Sequence, residues 1–155
     1  MGLDMYLSAK RYLFSFNEHD KALADKIDEM IGGASLGNTN EVRREAFYWR
    51  KAWAIHHWFV ENAQEGDDNC KEYWVARDTL QELLDTLKKV DENPSLAEDI
   101  LPLQAHDDDG KEWELEQIRR TIPALDKLIN DDSLKNDWDF YYSSSWRGEN
   151  YDYKY

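Results

Sequence analysis

Leu3-Asp4-Met5-Tyr6-Leu7-Ser8 is the stretch whose reading decides the fold class. Leu3, Met5 and Leu7 alternate with Asp4, Tyr6 and Ser8, the period-two pattern of a half-buried strand. The pattern predicts a strand over residues 3–14. A helix follows over 18–31: Asn17 stands at its N-cap, Leu23, Ile27, Met30 and Ile31 keep helical spacing, and Gly32-Gly33 ends it. Residues 34–40 read as a Gly/Ser/Asn loop.

The next stretch, Trp49-Arg50-Lys51-Ala52-Trp53-Ala54-Ile55-His56-His57-Trp58, holds three of the seven tryptophans and two of the four histidines. Residues 41–49 read either as a strand or as the start of a helix. From about 49 to 63 a helix is expected, with Tyr48, Ala52, Ile55, His56, Phe59 and Ala63 on one face. Trp49 and Trp53 flank that face, Arg50, His57 and Glu61 form a polar stripe, and Trp58 lies opposite.

Residues 64–69 read as an acidic turn and 71–75 as a short strand. A helix over 78–90 turns Leu80, Leu83, Leu84, Leu87 and Val90 to one side, and Asn93-Pro94 ends it. Ser95 caps a short helix that stops at Leu101-Pro102. Residues 106–110 form an acidic loop. Residues 111–130 are helical, with a break or kink at Pro123 unless Thr121 starts a second helix. Residues 138–142 read as a last strand. The tail from 143 to 155, with Trp146, Tyr151, Tyr153 and Tyr155, is an edge strand or a frayed end, and residues 147–155 read as a flexible tail. The sum is an α+β fold, a small mixed or antiparallel sheet packed with four to five helices, in one domain over 1–155.

Composition narrows the function classes. Residues 1–64 carry 8 Lys+Arg and 9 Asp+Glu, a net of −1, so the remaining 11 and 24 give residues 65–155 a net of −13. An acidic half argues against direct nucleic-acid binding, which needs a basic face. It suits solubility, or a basic protein partner drawn in by long-range attraction. No apolar run approaches a membrane span, and the opening Met1-Gly2-Leu3-Asp4-Met5-Tyr6 carries no pattern of a secretory signal. The single cysteine, Cys70, excludes an internal disulfide and a multi-cysteine zinc site, which fits a reducing cytoplasm.

Two constellations stand out. Trp49, Arg50, Trp53, His57, Trp58 and Glu61 combine aromatic planes with cations, and could hold a nucleotide or another planar anion by stacking and charge-assisted hydrogen bonds. The plain reading sends His56 to the core and leaves His57 and Glu61 as an exposed pair worth little. Asp107, Asp108 and Asp109, with Asp131 and Asp132, form the acidic candidates for a basic partner. Asp107-x-Asp109-Gly110 with Glu116 matches part of a calcium-binding EF-hand loop, but Ala105 and Glu112 stand where an acidic ligand and an apolar residue are needed, so a solvated turn is expected and no metal or other cofactor. Asp4 and Asp139 are strand carboxylates whose convergence the sequence leaves open. Trp58 and the tyrosine tail would suit a homo-oligomer surface.

The blocks Met1-Gly-Leu-Asp-Met-Tyr-Leu7, Tyr48-Trp-Arg-Lys51, Ile55-His-x-Trp-Phe-Val60, Asp67-Asp-x-Cys70 and Asp139-Phe-Tyr-Tyr-Ser-Ser-Ser-Trp146, in this order, resemble a family of small uncharacterised proteins of tailed bacteriophages and bacterial genomes. The family carries no activity or site residues over. The resemblance implies a phage or mobile-element protein in a bacterial cytoplasm. The leading expectation is therefore a small acidic binding protein, such as a counter-defence inhibitor that engages a basic surface of a host nucleic-acid-binding complex. The alternative is a nucleotide-sequestering or nucleotide-hydrolysing pocket built on the Trp/Arg/His stretch.

Overall fold

The structure, a computed structural model, describes residues 2–147. Four strands form one antiparallel sheet: β1 (Gly2–Tyr12), β2 (Glu41–Arg50), β3 (Tyr73–Val75) and β4 (Asp139–Arg147), in the order β2-β1-β4-β3. The helices are α1 (Glu18–Ile31), α2 (Trp53–Ala63), α3 (Arg77–Glu92), the short α4 (Ala97–Ile100) and α5 (Asp108–Asn130). The fold is α+β. No helix among the described residues is long and apolar enough to cross a membrane.

The alternation that opens the chain builds the centre. Leu3, Met5, Leu7 and Ala9 of β1 face the helices together with Trp49 of β2 and Phe140 and Tyr142 of β4. Ile55 and Phe59 of α2, Leu80, Leu83, Leu84 and Leu87 of α3, and Ile118 and Leu125 of α5 complete the core. Aromatic rings interlock there: Phe59 stacks on Tyr142 at 4.0 Å and meets Trp49 edge-on at 5.8 Å. The other sheet face carries polar and tyrosine side chains, with Tyr48 donating to Asp4 and Arg43 donating to Ser8 at 2.8 Å. Asp4 pairs with Ser145 and Asp139 with Lys10, so the two carboxylates lie about 20 Å apart along the sheet and do not converge.

Three differences from the sequence reading matter most. Residues 41–50 are strand throughout, so the helix expected from 49 begins at Trp53. Val42, Phe47, Tyr48 and Trp49 are good strand residues, and pairing with β1 decides for them. The turn is made at Lys51, whose φ of 52° lies in the left-handed region and whose N–H donates to the Leu3 carbonyl at 2.8 Å. A bulge at Ala46 shifts the register, since Leu7 faces Phe47 and Ser8 faces Glu45. Helix α5 runs unbroken through Pro123, with no restart at Thr121. The last strand extends to Arg147, and Tyr151, Tyr153 and Tyr155 lie outside the described residues.

Candidate functional site

Helix α2 starts without a side-chain cap of its own, since Ala52 occupies the N-cap. Its exposed amides would need acceptors. Glu114 of α5 supplies one from 60 residues away, with Oε1 accepting the Ala54 N–H at 2.9 Å. Its Oε2 accepts the Gln104 and Ala105 N–H groups, both at 2.9 Å. This carboxylate is only 3% exposed, yet three amide donors and the positive end of α2 satisfy it. One residue thereby ties the start of α2 and the 104–105 segment to α5 around a common space.

That space is a cleft of about 870 Å³ lined by Arg50, Lys51, Trp53, Gln104, Asp109 and Trp113, among others. Trp113 is 46% exposed, and its Nε1–H donates to the Arg50 carbonyl at 3.1 Å. Two indoles therefore border the cleft, and Arg50, Lys51 and Asp109 also contribute to its lining. Gly110 is required where α5 enters it. A Cβ at that position would meet the Ala105 Cβ and Asp107 Oδ1, each at 2.6 Å.

Of the aromatic and cationic residues singled out from sequence, only Arg50 and Trp53 line this cleft. Trp49 is fully buried on β2, and its Nε1–H donates to Thr121 Oγ1 at 2.8 Å. His57 and Glu61 are exposed on α2, away from the cleft lining. Trp58 is half-buried, edge-on to Phe59 at 5.6 Å. Arg50 belongs to β2 rather than to the helix, so the Arg50/His57/Glu61 stripe does not exist as one row.

The acidic candidates also separate. Asp107 is the N-cap of α5, accepting the Gly110 N–H at 2.7 Å, and Asp108 and Asp109 occupy the first turn. The EF-hand-like segment is thus a helix start. Asp131 and Asp132 stand beyond the other end of a 23-residue helix, about 34 Å away by its rise. Ser133 donates from its N–H and its hydroxyl to Asp131 and holds that carboxyl below its usual range. Asp131 lines a smaller cleft of about 230 Å³ with Arg44 and Trp138, whose ring lies 5.9 Å from the Arg44 guanidinium.

A polar chain runs from the core to the surface beside the Trp53 ring. His56, 2% exposed, has Nδ1 2.6 Å from the Tyr142 hydroxyl and Nε2 3.0 Å from Asp68 Oδ2. An ionised carboxylate only accepts, which assigns the proton to Nε2 and leaves Nδ1 to accept from Tyr142. Asp68 Oδ1 in turn accepts the Trp146 Nε1–H at 2.9 Å. Burial pushes the Tyr142 hydroxyl well above its ordinary value, and the nearby charge of Asp68 adds to this. The hydroxyl has no access to solvent, so the chain of bonds holds the 67–70 turn and the end of β4 rather than a substrate. His56 fits the core reading of the sequence; its partners Asp68 and Tyr142 were not legible, because they sit 12 and 86 residues away.

Comparison with protein-family models, curated proteins and solved structures finds no match to this chain.

Proposed function

We propose that this chain is a binding protein that holds a planar, anionic ligand of the nucleotide class between Trp53 and Trp113. One observation carries the reading: Arg50, Lys51, Trp53 and Trp113 all line one cleft. The indole faces offer stacking surface to an aromatic ring. Arg50 and Lys51 supply charge-assisted donors to an acidic group, and Asp109 supplies an acceptor for a ring N–H. The net charge of −14 opposes an anion at long range, but screening over about 8 Å at physiological salt leaves the two local cations in control. Sequestration of a host nucleotide in a bacterial cytoplasm is the role this reading gives to a chain of phage or mobile-element origin.

Calorimetric titration with a panel of nucleoside monophosphates and the matching nucleosides tests it. Lys51→Gly is the informative variant, because glycine tolerates the left-handed φ of 52° and the fold is retained. Saturable nucleotide binding should weaken about tenfold in Lys51→Gly. Nucleoside binding should be weaker than nucleotide binding and indifferent to that change. Nucleotide affinity that is equal in wild type, Lys51→Gly and Trp113→Ala, or absent at millimolar ligand, would sink the proposal.

A further inference from the structure

Three large apolar side chains within seven residues are left almost wholly in solvent. Met30 is 85% exposed, Ile31 73% and Leu36 75%. They stand where α1 ends, and α1 contributes only Ala24 to the buried set. Exposed apolar clusters of this kind mark interaction surfaces more often than single exposed residues do.

The cluster is held in place. Gly32 and Gly33, at φ of 78° and 83°, reverse the chain after the helix. The Leu36 N–H donates to the Gly33 carbonyl at 2.8 Å, and the Thr39 N–H and hydroxyl donate to the Asp28 carboxylate. A groove of about 420 Å³ opens between Ile31, Leu36 and the loop. The presented surface is therefore organised before anything binds.

Charge selects the occupant. The last turn of α1 contains Asp28 and Glu29 and no basic residue. The C-terminal end of a helix carries partial negative charge and favours cations, so these carboxylates stand at the unfavourable end. Asp25 and Glu29 are exposed like charges one turn apart, and no salt bridge among the described residues reaches either. Lys26 offsets one of the three carboxylates Asp25, Asp28 and Glu29, residues 31–40 carry no charge, and residues 25–40 keep a net of −2.

We propose that the Met30/Ile31/Leu36 tip is a docking surface for a cationic amphipathic protein segment, whose apolar side chains enter the groove while its Lys or Arg side chains meet Asp25, Glu29 and the α1 carbonyl end. A second copy fits poorly, since a two-fold contact would bring these carboxylates together. An anionic lipid surface is repelled by the same charges. The surface is distinct from the Trp53/Trp113 cleft and stands independently of it. It moves the basic partner expected from the acidic second half to the first half of the chain.

The test uses the full chain and a synthetic helical Lys/Leu peptide, with a Lys/Ser peptide of equal charge as control. The triple variant Met30→Ser, Ile31→Ser, Leu36→Ser keeps every charge, and because the three side chains are exposed its circular dichroism and melting should match wild type. The expected result is Lys/Leu binding that falls at least about tenfold in the triple variant, with much weaker Lys/Ser binding to both proteins. Equal binding by variant and wild type, equal binding of both peptides, or no Lys/Leu binding by wild type overturns the proposal. Sedimentation showing a wild-type dimer that the variant loses would assign the surface to a second copy instead. Variant-sensitive adsorption to zwitterionic or anionic vesicles would assign it to a membrane.

Discussion

The Glu114 carboxylate caps a helix that is not its own: Oε1 accepts the Ala54 N–H of α2 at 2.9 Å. Because Oε2 also accepts from Gln104 and Ala105, removal of the side chain strands three amide groups at once. Glu114→Ala should lower unfolding free energy by about 3 kcal/mol, and Glu114→Gln by less, since the amide oxygen still accepts. Urea denaturation of both variants checks the order. An alanine variant as stable as wild type would show that water replaces the carboxylate without loss.

The Trp49–Thr121 bond gives a smaller and cleaner effect. Thr121 is fully buried; its hydroxyl accepts from Trp49 and donates to the Gln117 carbonyl at 2.5 Å. Thr121→Val keeps the volume and leaves the indole N–H without a partner. The expected loss is about 1–3 kcal/mol with an unchanged denaturant slope.

His56 and Tyr142 should behave as one unit. A double-mutant cycle with His56→Phe and Tyr142→Phe is expected to give a coupling of about 1–3 kcal/mol, because either single change leaves a buried polar group unpaired. Additive effects would mean that the 2.6 Å contact contributes nothing beyond packing.

Glu72 predicts an acid-side dependence. Burial opposes its ionisation, but the Arg43 and Lys10 contacts outweigh burial and hold the carboxyl below its ordinary value of 4.5. A depressed folded value means that the stabilisation is fully present above about pH 4.5 and is lost as pH falls through the lower folded value. Glu72→Gln should therefore cost stability at pH 7 and converge with wild type at strongly acidic pH. Parallel stability curves down to acid would contradict this.

Pro123 sits inside a continuous α5, where it has no N–H to give and its ring crowds the preceding turn. Pro123→Ala should raise stability by about 1–2 kcal/mol, the helix gain exceeding the added freedom of the unfolded chain. Thermal melts of the two proteins decide it.

Local signals carried well where one physical effect dominated. The Leu3/Met5/Leu7 alternation located β1, and Asn17 caps α1 as its side chain suggests, accepting the Asp20 N–H at 3.0 Å. The leucine stripe of α3 is buried as its spacing requires. Trp49 misled because an aromatic residue suits a strand and a helix face equally, and the strand partner lies 44 residues upstream at Met5. Ser143-Ser144-Ser145 gave no strand pattern of its own and is ordered by pairing with β1. Half of the cleft was hidden for the same reason. Trp113 and Glu114 look like surface residues of an acidic helix, and only the docking of α5 on α2 gives them a role.

The central pairing of β1 with β4 joins Gly2 to Arg147. A ribosome adding roughly 5–20 residues per second delivers Asp139–Arg147 only about 6–25 s after β1 has emerged. Until then the edge of β1 opposite β2 has no strand beside it, and the middle of the sheet is missing. Acquisition of the native sheet is therefore deferred until β4 has been made. Nascent chains that stop short of β4 present an open strand edge to chaperones and proteases.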